Sequence, residues 1–180
     1  MPLTFIKKFL VMLSLLTLFN QSQAALELGQ QAPDFTLIDQ HNAQHTLSNY
    51  QGQWVVIYFY PKDDTPGCTT EACNFRDAIN HIIAKRAIVF GISLDDVESH
   101  QKFSKKNKLP FSILSDPNGK VAKQYDSLGD YWVIKFAKRN SFIINPTGDI
   151  VKIYKGVDPQ THIQEVLKDL SALQKIDKGY

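Results

Sequence analysis

The chain has 180 residues, of which 43% are hydrophobic, 21% charged and 11% aromatic, and its formal net charge is +2. Nine glycines and eight prolines exclude collagen-like and low-complexity classes, the apolar share excludes intrinsic disorder, and two cysteines are too few for a disulfide scaffold. Twenty basic residues against eighteen acidic ones give no electrostatic case for a nucleic-acid partner.

At the N-terminus, Lys7 and Lys8 precede an apolar run over 9–19 whose only polar members are Ser14 and Thr17. A polar stretch over 20–23 then leads to Ala24 and Ala25. Positive, apolar and small-residue regions in that order predict a secretory signal peptide over 1–24, cut between Ala24 and Ala25. The run is too short for a spanning helix, which needs about 20 residues. The remaining 25–180 reads as one domain with a formal charge of zero, because 1–24 holds two lysines and no acid. Export most directly means a bacterial periplasm, where disulfides persist.

Strands and helices alternate along the rest. Segments 34–39 and 45–47 predict a short N-terminal hairpin. The run Trp54-Val-Val-Ile-Tyr-Phe-Tyr60 predicts a fully buried central strand. A single helix is expected over 66–85, with Ala72, Phe75, Ile79, Ile82 and Ile83 on one apolar face. Segment 87–93 is a second buried strand, parallel to the first through that helix. There follow a polar helix (97–108), a short strand (111–114) and a helix (120–127). Segments 141–145 and 150–155 flank Pro146-Thr-Gly-Asp149 and predict an antiparallel hairpin. Asp158 is expected to cap a last helix with Pro159 at its first position, its buried stripe running through Ile163, Val166, Leu167, Leu170 and Leu173. The pattern is α/β: a thioredoxin-like fold with a central mixed sheet flanked by helices and an N-terminal hairpin extension. That fold carries several chemistries, so function has to come from a site.

The informative segment is 60–73, which joins the central strand to the first long helix. Thr65 followed by Pro66 reads as an N-cap and first helical position, which puts Cys68 in the first turn. Unpaired backbone N–H groups and the positive end of the helix dipole favour an anion there. An ordinary thiol, with a pKa of about 8.5, is only about 3% ionised at neutral pH, so a nucleophilic cysteine also needs hydrogen bonds or a cation. Arg139, just before a strand expected beside the central one, is the better-placed cation. Arg76 sits about 12 Å further up the helix axis and reads as a solvated surface charge. Cys73 lies about 7.5 Å beyond Cys68 and about 140° round the helix, which separates their α-carbons by more than about 8 Å. A disulfide between them therefore requires the first turns to unwind.

Pro61-x3-Thr65-x2-Cys68 is similar to the peroxiredoxin active-site pattern, and the Cys68-x4-Cys73 spacing resembles the bacterioferritin-comigratory protein/peroxiredoxin Q subgroup. Segments 91–96, 100–103, 109–116 and 139–144 extend the resemblance over nearly all of 26–174. It implies a thiol-dependent peroxidase acting on hydrogen peroxide and organic hydroperoxides, with Cys68 peroxidatic and Cys73 resolving through an intramolecular disulfide. A thioredoxin-like protein would be the reductant. Thr65 and Arg139 would orient thiolate and peroxide, the N–H groups of Cys68 and Gly67 would help hold oxygen, and Pro61 would shape and shield the pocket. No metal or bound cofactor is implied.

Two other classes share the fold. A thiol–disulfide oxidoreductase would carry Cys-x2-Cys, and a copper-delivery protein Cys-x3-Cys with a distant histidine; the spacing here fits neither. His41, His45, His81, His100 and His162 show no ligand spacing and read as surface or satisfied residues. The basic run 102–108 reads as a solvated face, and Asp95-Asp96 as loop acidity. Tyr131 and Trp132 could line a pocket mouth or a partner surface. A monomer or weak dimer is expected, with no membrane contact once the signal is removed.

Overall fold

The computed structural model describes residues 26–177; the expected signal peptide lies outside them. The N-terminal hairpin forms from β1 (Thr36–Asp39) and β2 (Gln44–Thr46), followed by a 3-10 turn at Leu47–Tyr50. Strand β3 (Trp54–Phe59) is buried along its whole length. Its side chains alternate between two cores, as period two requires: Trp54, Val56 and Tyr58 enter one, and Val55, Ile57 and Phe59 the other.

Helix α1 (Pro66–Asp77) and helix α2 (Ile79–Ala84) replace the single helix expected over 66–85. Ala78 leaves the helical region there, with φ −95° and ψ 3°. Ala72, Phe75 and Ile82 are buried as expected, whereas the break rotates Ile83 out to solvent. Strand β4 (Ala87–Ser93) pairs parallel with β3, helix α3 (Val97–Asn107) follows, and β5 (Ser112–Ser115) pairs parallel with β4. Helix α4 (Lys120–Gln124) is shorter than expected, because Tyr125 ends it and Asp126 turns left-handed.

A hairpin absent from the sequence expectations comes next, β6 (Leu128–Tyr131) with β7 (Ile134–Ala137). It stands apart from the main sheet and carries Tyr131 and Trp132 at its exposed tip, Trp132 being 90% exposed. Gly129 is required inside it: a Cβ there would lie 2.6 Å from the Phe136 ring.

Strand β8 (Asn140–Ile144) then runs antiparallel beside β3, and β9 (Ile150–Lys155) closes the edge. The seven-stranded order is β2-β1-β5-β4-β3-β8-β9. The last helix, α5 (His162–Asp177), starts later than expected. Asp158 still accepts a backbone bond from Gln160 at 2.9 Å, but residues 158–161 form a turn before the regular helix. Among the described residues no helix is long and apolar enough to cross a membrane. Two consequences of this architecture matter for the site. The loop after β3 leaves the C-terminal edge of the parallel strands, and β8 delivers Arg139 to the same place.

Candidate active site

Cys68 occupies the third position of α1, is 1% exposed, and belongs to the same buried cluster as Ala72, Phe75 and Val166. Helix and strand meet at its sulfur: Arg139 Nη2 donates to Cys68 Sγ at 3.2 Å. The other guanidinium branch, Nη1, donates to Glu71 Oε2 at 2.9 Å. One arginine therefore fixes the sulfur against a buried carboxylate on the same helix, with its planar fork aimed at both. A hydrogen bond from a charged donor contributes about 1.5–3 kcal/mol, the kind of cation that the sequence called for.

Gly67 makes this approach possible. A Cβ at that position would lie 2.8 Å from Arg139 Nη2 and 3.6 Å from Pro159 Cγ. Gly67→Ala is accordingly expected to displace the guanidinium and slow the reactions of the Cys68 sulfur on the order of tenfold to a hundredfold, the cost of misplacing a reacting group by about 1 Å. Rapid-mixing thiol-reactivity assays on the variant check this, with thermal melting expected to change little.

Thr65 departs from expectation. Its backbone has N-cap geometry, but its hydroxyl turns back into the loop and donates to the Lys62 carbonyl at 3.0 Å. The first-turn N–H groups, those of Gly67 and Cys68 among them, are thus not taken by a side-chain cap. Pro61 lies in the same loop, partly exposed. Cys73, half-buried, faces away from Cys68 toward Asn107, and both cysteines are free thiols. Arg76 is not simply solvated: it pairs with Asp77 at 2.8 Å and donates to the Asn107 carbonyl at 2.8 Å, tying α1 to the end of α3.

Residues that the sequence reading passed over hold the loop in place. Asp63 is buried and accepts from the Tyr60 hydroxyl (2.7 Å), the Ser99 hydroxyl (2.8 Å) and His100 Nδ1 (2.8 Å). Its own N–H donates to Asp95 Oδ2 at 2.9 Å, and Ser93 steadies that carboxylate at 2.7 Å. Asp96 caps α3 through Ser99 N–H at 2.8 Å. Burial, and then the Asp63 carboxylate, push the Tyr60 phenol well above its ordinary value, so it stays a neutral donor. Asp95 and Asp96 are structural devices rather than loose loop charges.

His41 and His81 are exposed and His45 is bonded at both ring nitrogens, as expected of surface or satisfied residues; two histidines differ. His100 and His162 are fully buried, and in each the Nε2 atom has no partner among the described residues. His162 Nδ1 lies 3.1 Å from Glu71 Oε1. A carboxylate oxygen only accepts, so the proton of that bond sits on Nδ1. One signal was available for Glu71: it falls on the apolar stripe with Cys68, Ala72 and Phe75, an unusual place for an acid. Among the described residues no group of three or more histidine, cysteine, aspartate and glutamate side chains could hold a metal ion.

Comparison with known proteins places this arrangement in context. Residues 28–153 match the AhpC/TSA family. Peroxiredoxin Bcp from Bacillus subtilis is 39% identical over 158 residues, covering 83% of this chain and 98% of that protein. Among solved structures, peroxiredoxin Q from Xylella fastidiosa superposes with a TM-score of 0.79 at 32% identity, covering 84% of this chain and 99% of the other. The bacterioferritin comigratory protein of Xanthomonas campestris, described for its alkyl peroxide reduction activity, gives a TM-score of 0.76 at 33% identity, covering 83% and 98%.

Proposed function

This chain belongs to the AhpC/TSA family, among its Bcp and peroxiredoxin Q thiol peroxidases, and on that premise we propose that Cys68 is the sulfur that attacks the peroxide. The observation that carries this reading is the 3.2 Å bond from Arg139 to a buried Cys68 at a helix N-terminus. The thiolate displaces the distal peroxide oxygen as an alcohol or water, which takes up one proton, and Cys68 becomes a sulfenic acid. Arg139 opposes the negative charge that moves from sulfur to the departing oxygen, and the first-turn N–H groups add to that field. Thr65 acts through the loop backbone, Gly67 by leaving room for the guanidinium, and Pro61 as one wall of the approach.

The Cys73 thiol then condenses with the sulfenic acid, forming a disulfide and releasing water. A dithiol reductant of the thioredoxin kind exchanges with that disulfide and restores both thiols. Hydrogen peroxide and organic hydroperoxides are the proposed substrates, the latter in line with the Xanthomonas campestris relative. Neither a disulfide oxidoreductase nor a copper carrier is favoured by membership of a peroxidase family. The leader over 1–24 makes export part of the proposal, and with it a reductant resident in the periplasm. N-terminal sequencing of the exported protein is expected to begin at Ala25.

Cys73→Ser tests the assignment of the second sulfur. The variant is expected to consume about one equivalent of peroxide at the normal rate and then stall as a sulfenic acid, losing nearly all turnover with a protein reductant. Normal turnover would remove Cys73 from the cycle. The scheme rests on thiolate nucleophilicity and in-line exchange alone.

A further inference from the structure

Glu71 stands three residues after Cys68 and two before Cys73, on the segment that must unwind to bring their sulfurs together. It is also held from two sides, at both carboxylate oxygens. It is 1% exposed, with one carboxylate oxygen on Arg139 Nη1 (2.9 Å) and the other on His162 Nδ1 (3.1 Å). His162 opens α5 and is fixed edge-on against Phe75 and Tyr154, with ring centroids 5.5 Å and 5.4 Å away. Withdrawing Glu71 would strand the His162 N–H in an apolar pocket and remove the second anchor of Arg139. The same contact therefore bears on both sulfur reactions, in opposite senses.

We propose that His162 is a positioning residue which, by holding Glu71, sets Arg139 against Cys68 for peroxide attack and restrains the unwinding of α1 that lets Cys73 resolve the sulfenic acid. The inference rests on the assignment of Cys68 and Cys73 made above and adds what times the passage between them. Tight holding favours the first oxidation and prolongs the sulfenic acid. A second peroxide can then oxidise the persisting sulfenic acid to a sulfinic acid, itself leaving as alcohol or water. Loose holding slows attack and speeds disulfide closure.

The test is quench-flow mass spectrometry of the whole protein, wild type beside His162→Leu and His162→Asn, with hydrogen peroxide as the probe. Leucine removes the donor, whereas asparagine keeps a side-chain N–H close to the Nδ1 position. For His162→Leu, peroxide attack is expected to slow several-fold, disulfide closure to speed up on the order of tenfold, which is the scale of one buried hydrogen bond, and the sulfinic fraction under excess peroxide to fall. His162→Asn is expected to restore all three toward wild type. A merely structural role would move both rates the same way and would not be rescued. Equal rates in wild type and His162→Leu, or equal slowing of both steps, would overturn the proposal. If His162→Leu does not fold, Glu71→Gln is read by the same criteria. Failure of the underlying assignment looks different: the wild type itself would form no Cys68–Cys73 disulfide.

Discussion

Cys68→Ser is expected to abolish peroxide consumption, lowering the rate by at least about 10⁴-fold, the scale on which removing an enzyme's nucleophile acts. A serine hydroxyl is not ionised at neutral pH, even beside a guanidinium, and its oxygen is a poor nucleophile toward a peroxide bond. The helix N-terminus and Arg139 would remain in place around an inert atom. The substitution is close to isosteric in a site only 1% exposed, so folding should be nearly unchanged. A thermal melt within a few degrees of wild type would show that the loss is chemical. Peroxide consumption measured against a dithiol, with buffer as the blank, checks the rate. Retention of a tenth of the activity would place the nucleophile at Cys73, the one other thiol in the chain.

Arg139→Lys carries the second-largest expected effect, a loss of about 10²–10³-fold in the rate constant for peroxide, as for removal of a donor to developing negative charge. The exchange keeps the charge and loses the fork. Arg139 reaches Cys68 through one terminal nitrogen and Glu71 through the other, so a single ammonium must choose between sulfur and carboxylate. Glu71 is buried and also held by His162, which makes the carboxylate the stronger competitor. Arg139→Ala should lose at least as much rate, and stability besides, because a buried carboxylate is left without its cation. Rate constants at saturating reductant, taken with melting curves, separate these effects. A lysine variant within threefold of wild type would mean that charge alone suffices.

The family and the place of Cys68 at a helix start were legible because the features that carry them are local. A strand, a Thr-Pro turn and a cysteine in the first helical turn follow one another in sequence, and β3 and β4 are apolar enough to be read without tertiary information. Arg139 was legible because the strand that follows it was expected beside the central one, and β8 does pair with β3. What stayed hidden depends on contacts between distant segments. His100 and His162 are buried by partners 37 and 91 residues away, which no ligand spacing reveals. The hairpin of β6 and β7 lacks a conventional turn pair: Trp132 itself takes the left-handed position, with φ 61°, where glycine or asparagine would have announced a turn. The break at Ala78 carries no proline or glycine, so periodicity ran through it and misplaced Ile83. Glu71, by contrast, had a local signal that the sequence reading missed, an acid on the buried stripe of α1.

The most direct measurement treats reduced protein with one equivalent of hydrogen peroxide, blocks the remaining thiols and maps them by tandem mass spectrometry. The expected product is a single intramolecular Cys68–Cys73 disulfide in wild type, and an oxidised Cys68 beside an intact serine in Cys73→Ser. A wild-type product in which Cys73 is oxidised while Cys68 remains a free thiol would contradict it.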